Sequence, residues 1–480
     1  MTFDPFASAT AMLRALHKKE ISSVELLELH LSRIELHNPK LNSVVTLDVE
    51  NARIAAKQAD EILARGEYKE LSGLPLTIKD CIDVEGLTGT GGVERFAQRV
   101  PNDDSRLAAR VRGAGGVIMG KTNVPPNAAD WQSDNPIFGR TNNPWNLGYS
   151  PGGSTGGGSA ALAAGMTPLE FGSDIGGSVR IPAAFCGVFG HKPSETAIPR
   201  SGHFPGSPLP NAGAVMCVQG PLSRTAEDLE LAFDVVSGPE VGEDAAWKLV
   251  VPPPRHNKLA DFRVAILPTI PWLPVDDEIT AAVDNLAEEL GKAGAQVNAI
   301  QPDGFGDLRR HHELYCRFLS VWSSVRLSES QKQHLAENMR KSDEFGEFYA
   351  QGLLASASEY LIWHMEREEL RHAYRGFFIE WDVLLAPNNI VGPFPHINAP
   401  WPERWLDVNG TKVQYGLQNV YAAVATLCGQ PATSFPVSLN KSGLPIGLQA
   451  IGPYLEDKTT IRFAELIEAE FGGFHPPPGY

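Results

Sequence analysis

The sequence predicts an α/β fold with a mixed, largely buried sheet, and three observations predict it. Short apolar runs alternate with segments of helical periodicity along the chain. The apolar runs are continuous rather than alternating, as in strands covered on both faces. No long Pro/Gly/Ser linker divides the 480 residues, and the best boundary, VVPPPRHN at 250–257, is short. Length alone would allow about three domains of ~150 residues. Without a linker the expectation is one domain over 1–480, with N-terminal helices in 1–66 packing on it and a helical insertion over 305–375.

The elements follow in order. Ser22 and Glu25 form a capping box before a helix with Leu27, Leu31 and Ile34 at helical spacing, and Asn38-Pro39 is the expected stop. Ala52, Ala55, Ala56, Ala59, Ile62 and Leu63 mark a second, close-packing helix. Residues 74–78 and 117–119 read as buried strands around a helix at 105–114. A helix is expected at 159–164 inside a Gly/Ser/Ala-rich stretch. FRVAILP at 262–268, a helix carrying Ile279, Val283, Leu286 and Leu290, and AQV at 295–297 make a β-α-β unit. Charged helices fill 305–375, and WDVLLAP at 381–387 returns to strand. A hairpin turns at 441–443, and a helix over 457–470 closes the chain.

Bulk composition narrows the function. The net charge of −16 argues against nucleic acid, whose phosphates need clustered Lys and Arg. Five widely spaced cysteines with no CxxC argue against a disulfide framework or a zinc site. No basic-then-apolar leader and no run of 18 apolar residues is visible. A cytoplasmic protein without stable membrane insertion is expected. His311, His312 and Glu313, and the pair His364 and His372, lack the HExxH spacing, so they read as surface helix residues and no metal is expected.

Two short motifs match literally. GGVIMGKT at 115–122 fits the phosphate-binding pattern, but its middle reads as a strand and Pro125-Pro126 follow too closely for a helix start. The competing reading is a buried strand ending in a lysine. GGSTG at 152–156 fits the nucleophile elbow of a Ser-His-Asp esterase using Ser154, with His191, His203 and His396 downstream. The preceding NLGYSPG does not look like the strand that an elbow needs.

A third match is far longer. SPGGSTGGGSAALAAGMTPLEFGSDIGGSVRIPAAFCGVFGHKPS at 150–194 closely resembles the Gly/Ser-rich signature of the amidase signature family. LSGLPLTIKDCIDVEGL at 71–87 resembles that family's lysine segment. GGVIMGKTNVP, FGRTNNPWN, GPLSRTAEDLEL and GLPIGLQAIGP are similar to further blocks in the family's order. The match is weakest over 305–375. The resemblance implies a single large domain with a twisted mixed sheet covered by helices on both sides.

It also implies a Ser–cis-Ser–Lys triad, in which motif positions assign Lys79 as base, Ser154 as bridging serine and Ser178 as nucleophile. A serine hydroxyl is weak until a base takes its proton, and Lys79 serves only if burial keeps it neutral. Ser154 would relay the proton, and the Gly153–Ser154 peptide is expected to be cis. Backbone N–H groups of Ile175, Gly176, Gly177 and Ser178 would form the oxyanion hole. Asp174 and Arg180 read as an ion pair holding that loop. Thr155 replaces a frequent second serine and keeps a hydroxyl on the oxyanion side. Thirteen of the 46 glycines fall in 139–190, a surplus that marks backbone needed close to substrate.

Trp131, Phe204, Trp322 and Trp363 lie in segments that line the acyl cleft in relatives, so they are pocket candidates, with core packing as the alternative. The implied activity is hydrolysis of C(=O)–N bonds through an acyl-enzyme, without a cofactor, on a small-molecule amide, carbamate (urethane) or aryl acylamide. Two alternatives stay open. One is the glutamine-hydrolysing component of an amidotransferase complex, whose glutamine-recognition stretch 305–340 does not resemble. The other is the Ser-His-Asp esterase. A homodimer also stays open.

Overall fold

Eleven strands form one sheet in the computed structural model, which describes residues 3–205 and 215–480. In spatial order they are Val44–Leu47, Val117–Thr122, Pro75–Lys79, Leu169–Asp174, Val218–Ser223, Phe189–Lys192, Ala432–Leu439, Pro445–Ile451, Val383–Pro387, Arg263–Ile266 and Gln296–Ala299. The sheet is mixed. Val117–Thr122, Pro75–Lys79 and Leu169–Asp174 run parallel, as do Val383–Pro387, Arg263–Ile266 and Gln296–Ala299, and antiparallel pairs join and flank these two groups.

Side-chain alternation along the strands shows both faces to be covered. In Val383–Pro387, Val383 and Leu385 enter one apolar cluster while Leu384 and Ala386 enter another. Because successive strand residues point to opposite faces, the clusters lie on opposite sides of the sheet. Helices Ala226–Val236, Asp277–Lys292 and Asp457–Phe471 pack on the first side, and Arg309–Ser324, Ala357–Glu380 and Val420–Thr426 on the second.

The Ser22–Glu25 capping box opens helix Ser23–Leu41, which runs on through Pro39 rather than stopping at Asn38. Asn42, at φ 52°, ends it. Asn38 Oδ1 instead accepts the N–H groups of Ser43 and Val44 and so steers the chain into the edge strand Val44–Leu47. The segment 1–66 therefore supplies a strand as well as helices. The expected β-α-β unit is present, its two strands paired in parallel. The helix expected at 159–164 starts earlier, at Gly156–Ala163. The stretch expected as a helical insertion holds helices Arg309–Ser324, Glu329–Met339, Gly346–Leu353 and Ala357–Glu380, the last of which runs past 375.

Candidate active site

Two neighbouring parallel strands deliver the first groups. Thr77 and Ile78 register with Glu170 and Phe171, so Lys79 and Ser173 meet at adjacent strand ends. Lys79 Nζ lies 3.0 Å from Ser173 Oγ and 3.3 Å from Ser173 O, and it donates to Ser154 Oγ at 2.7 Å. The lysine is fully buried. Burial pushes its ammonium below the ordinary lysine range, against the pull of the surrounding Cys81, Cys217, Asp174 and Glu170. Glu170, one layer deeper, accepts from Thr77 and Thr122, and burial raises its carboxyl to about 7.

Ser154 sits just before helix Gly156–Ala163, after a cis Gly153–Ser154 peptide. A Cβ at Gly153 would lie 2.4 Å from Asp130 O, so only glycine fits. Gly157 and Gly158 press on the backbone of Asn123 and on the Glu170 side chain, where a Cβ would meet atoms at 2.3 and 2.5 Å. Much of the glycine surplus thus lets this helix lie against the sheet and its loops, and substrate approach explains only part of it.

Ser178 follows the strand that carries Ser173 and Asp174. Asp174 Oδ1 accepts the N–H of Gly177 at 2.9 Å, and Oδ2 accepts that of Val179 at 3.0 Å. Arg180 closes on the same carboxylate with Nη2–Oδ1 at 2.9 Å and Nε–Oδ2 at 3.1 Å, and both side chains are sealed from solvent. Burial alone would raise this carboxyl, but Arg180 holds it down to about 2. Gly177 leaves the expected oxyanion set, because its N–H is already spent on Asp174. Among the described residues, the N–H groups of Ile175, Gly176 and Ser178 form no hydrogen bond.

A cavity of about 1,200 Å³ opens over this floor. Ser154, Ser173, Ile175, Gly176 and Ser178 line its base, and Trp131, Phe204 and Trp322 its walls. Trp131 is fixed by its Nε1 donating to Gly176 O at 3.0 Å and by ring contacts with Trp401 and Tyr415. Leu319, Met339 and Tyr349, from the helices of 305–375, also line it. Ser154 and Ser178 share the cavity floor without a direct hydrogen bond between them among the described residues.

Comparison with known proteins decides the family. The Amidase family model matches residues 25–461. The chain belongs to the amidase signature family. It is 30% identical to an acylamidase of Rhodococcus erythropolis over 96% of this chain and 95% of that one. It is 29% identical to the A chain of the glutamyl-tRNA(Gln) amidotransferase of Chromobacterium violaceum, over 96% and 97%. A solved bacterial aryl acylamidase of the family superposes with a TM-score of 0.82 at 25% identity, covering 99% of each chain. Like other members, this amidase signature enzyme is a hydrolase acting on amide C–N bonds.

Several expectations need correction on structural grounds. Trp363 does not line the cavity. It is buried in the apolar cluster that the helices of 305–375 share with one face of the sheet, with the Arg317 guanidinium 5.6 Å from its ring. His311 and His312 are buried rather than on the surface, and burial lowers both imidazoles to about 3. Thr155 donates its hydroxyl to Ser173 O at 3.5 Å, and its N–H donates to Ser178 O at 3.1 Å. Lys121 of the phosphate-loop look-alike lies in the buried strand Val117–Thr122, its Nζ on the carbonyls of Asp80 and Ile82.

The histidines of the esterase reading are engaged elsewhere. His191 bonds Thr433 and Asp457, His396 bonds Asn142, and His203 lies against Arg200. Sequence reasoning missed Ser173, which touches Lys79 as closely as any group but Ser154. Its place at the end of a strand beside the lysine strand was the available signal. No helix among the described residues is long and apolar enough to cross a membrane.

Proposed function

We propose that this enzyme is a stand-alone hydrolase of uncharged amides, including aryl acylamides and carbamates, acting through an acyl-enzyme on Ser178. The observation that carries this reading is the buried 2.7 Å contact between Lys79 Nζ and Ser154 Oγ, at the floor of a cavity that Ser178 also lines. Lys79, kept neutral by burial, takes the proton of Ser178 through Ser154, and Ser178 Oγ attacks the carbonyl carbon. The oxyanion forms against the free N–H groups of Ile175, Gly176 and Ser178, each of which is worth roughly 100- to 1000-fold in rate. The relay then runs backwards and protonates the leaving nitrogen, and water releases the acyl group. The rings of Trp131, Phe204 and Trp322 favour apolar and aromatic substrates.

The similarity to the amidotransferase chain supports a second reading, a glutamine-fed component of a complex with protein partners. Glutaminase activity and copurifying chains would favour it. The deciding experiment is a panel of aryl amides, primary amides, carbamates and esters, run with Ser178→Ala and Ser154→Ala and with a fluorophosphonate label. Ser178→Ala should abolish both turnover and labelling. Full labelling of Ser178→Ala, with Ser154 as the modified residue, would overturn the assignment.

A further inference from the structure

Each of the four carbonyls over 175–178 accepts a hydrogen bond. Ser178 O takes the N–H of Thr155, Gly177 O that of Ile181, Gly176 O the indole of Trp131, and Ile175 O the phenol of Tyr315 at 3.0 Å. A trans peptide aims its C=O and its N–H in opposite directions, so a donor on each oxygen also aims the next residue's N–H. The peptide between Gly176 and Gly177 is held at both ends, by Trp131 and by Asp174. The peptide between Gly177 and Ser178 is held by the Ile181 N–H, at the turn into helix Arg180–Cys186. The peptide between Ile175 and Gly176 has only Tyr315. Nothing else among the described residues donates to Ile175 O, and the Gly176 N–H at its other end forms no hydrogen bond. Gly176 has no Cβ to restrict this plane, so the phenol sets its angle.

Tyr315 is itself firmly placed. It lies on helix Arg309–Ser324, in the stretch where the resemblance to the family is weakest, and its side chain is buried. Its ring stacks on that of His312, with centroids 5.6 Å apart. Burial pushes the phenol above its ordinary range, so it keeps its proton and stays a donor. A Cβ built on Gly176 would stand 3.0 Å from Tyr315 Oη and, beyond its chain neighbours, meet nothing else within 4 Å. Phenol and oxyanion loop are therefore in direct contact, and Tyr315, Ile175 and Gly176 all line the substrate cavity.

We propose that Tyr315 is a positioning residue for the hydrolysis: its hydroxyl, by holding Ile175 O, aims the Gly176 N–H at the oxyanion. This rests on the acyl-enzyme reading above and adds to it a residue from 305–375, outside the motifs that carry the triad. The phenol acts through Gly176, on an oxygen that becomes negative only as the bond to Ser178 forms. Its loss therefore falls on kcat and leaves KM in place.

The probes are para-nitroacetanilide for turnover and phenethyl trifluoromethyl ketone, whose carbonyl carbon takes Ser178 Oγ and whose oxygen becomes an oxyanion. Tyr315→Phe removes one oxygen and keeps the ring. It should lower kcat between about fivefold, the net worth of one hydrogen bond, and about 100-fold, the loss of a whole oxyanion donor, with KM near wild type. The Ki of the ketone should rise by a similar factor. Gly176→Ala crowds the same phenol oxygen and should give the same pattern. Combined with Tyr315→Phe it should cost less than the sum of the two, because one hydrogen bond is lost in both. A higher KM with kcat and Ki unchanged would make Tyr315 a plain cavity wall and overturn the proposal, as would a fall in kcat that Ki does not share. Should Tyr315→Phe fail to fold, Gly176→Ala decides, and an unchanged kcat there overturns the proposal. Equal Ki for the ketone in Ser178→Ala and wild type would overturn the acyl-enzyme reading and the proposal with it, whereas a Tyr315 result against the proposal leaves that reading standing.

Discussion

Lys79 Nζ and Ser154 Oγ stand 2.7 Å apart at a point sealed from solvent. The burial that makes the lysine useful as a base also destabilises the fold. A lysine whose pKa is lowered on folding binds fewer protons in the native state than in the unfolded chain between its folded value and the ordinary 10.5. Stability therefore rises with pH across that window. Lys79→Met should lose at least about 100-fold in turnover, the range of a general base. It should also gain stability relative to wild type below the folded pKa, and the gain should shrink as pH approaches 10.5. Urea melts across pH check the second part, and an unchanged turnover rate would sink the lysine-base mechanism.

Glu170 carries the opposite sign. Its folded carboxyl titrates near 7 against an ordinary 4.5, so between these values the native state holds the extra proton. Its contribution is fully present below pH 4.5 and is lost as pH rises through 7. Glu170→Gln keeps an acceptor for Thr77 or Thr122 and removes the titration. It should match wild type in acid and be more stable above pH 7, by about 3 kcal/mol at the upper bound for such a shift. Parallel curves of stability against pH for the two proteins would contradict the assignment.

The Asp174 clamp joins stability to the loop that holds Ser178. Asp174→Asn leaves the Arg180 guanidinium buried without its charge partner, which destabilises by about 3–5 kcal/mol. The double change Asp174→Asn with Arg180→Gln should be less damaging than the sum of the single changes, because no orphan charge remains. Denaturant melts of the four proteins give the coupling. Additive effects would mean that the pair does not act as a unit.

Legibility divided along a physical line. Strands with continuous apolar runs, such as Pro75–Lys79 and Val383–Pro387, announced themselves. Leu169–Asp174, Phe189–Lys192 and Val218–Ser223 did not, because they carry Glu170, His191 and Gln219. These polar groups find partners only across the folded sheet, Glu170 in Thr77 and Thr122, and His191 in Thr433 and Asp457. The same limit applied to the site. The positions of Lys79, Ser154 and Ser178 sit in local motifs and were readable. The engagement of Gly177 by Asp174, the contact of Ser173 with Lys79 and the burial of His311 and His312 depend on which elements meet, and no local spacing records that.

Trp131 and Trp363 were equal candidates by sequence, and the fold separates them. Trp131 faces the cavity and its Nε1 holds Gly176 O, beside the N–H groups expected to meet the oxyanion. Trp363 belongs to the same apolar cluster but is not among the residues that line the cavity. Trp131→Phe removes that hydrogen bond while keeping most of the ring packing. A hydrogen bond of about 1 kcal/mol predicts a loss of roughly fivefold in kcat/KM, or more if the loop shifts. Trp363→Ala should instead lower stability by about 3–5 kcal/mol, as large-to-small core changes do, and leave kcat and KM near wild type at temperatures where the variant is folded. Steady-state kinetics and thermal melts of the two variants test the separation. If Trp363→Ala changed KM while Trp131→Phe did not, Trp363 would regain its place in the pocket.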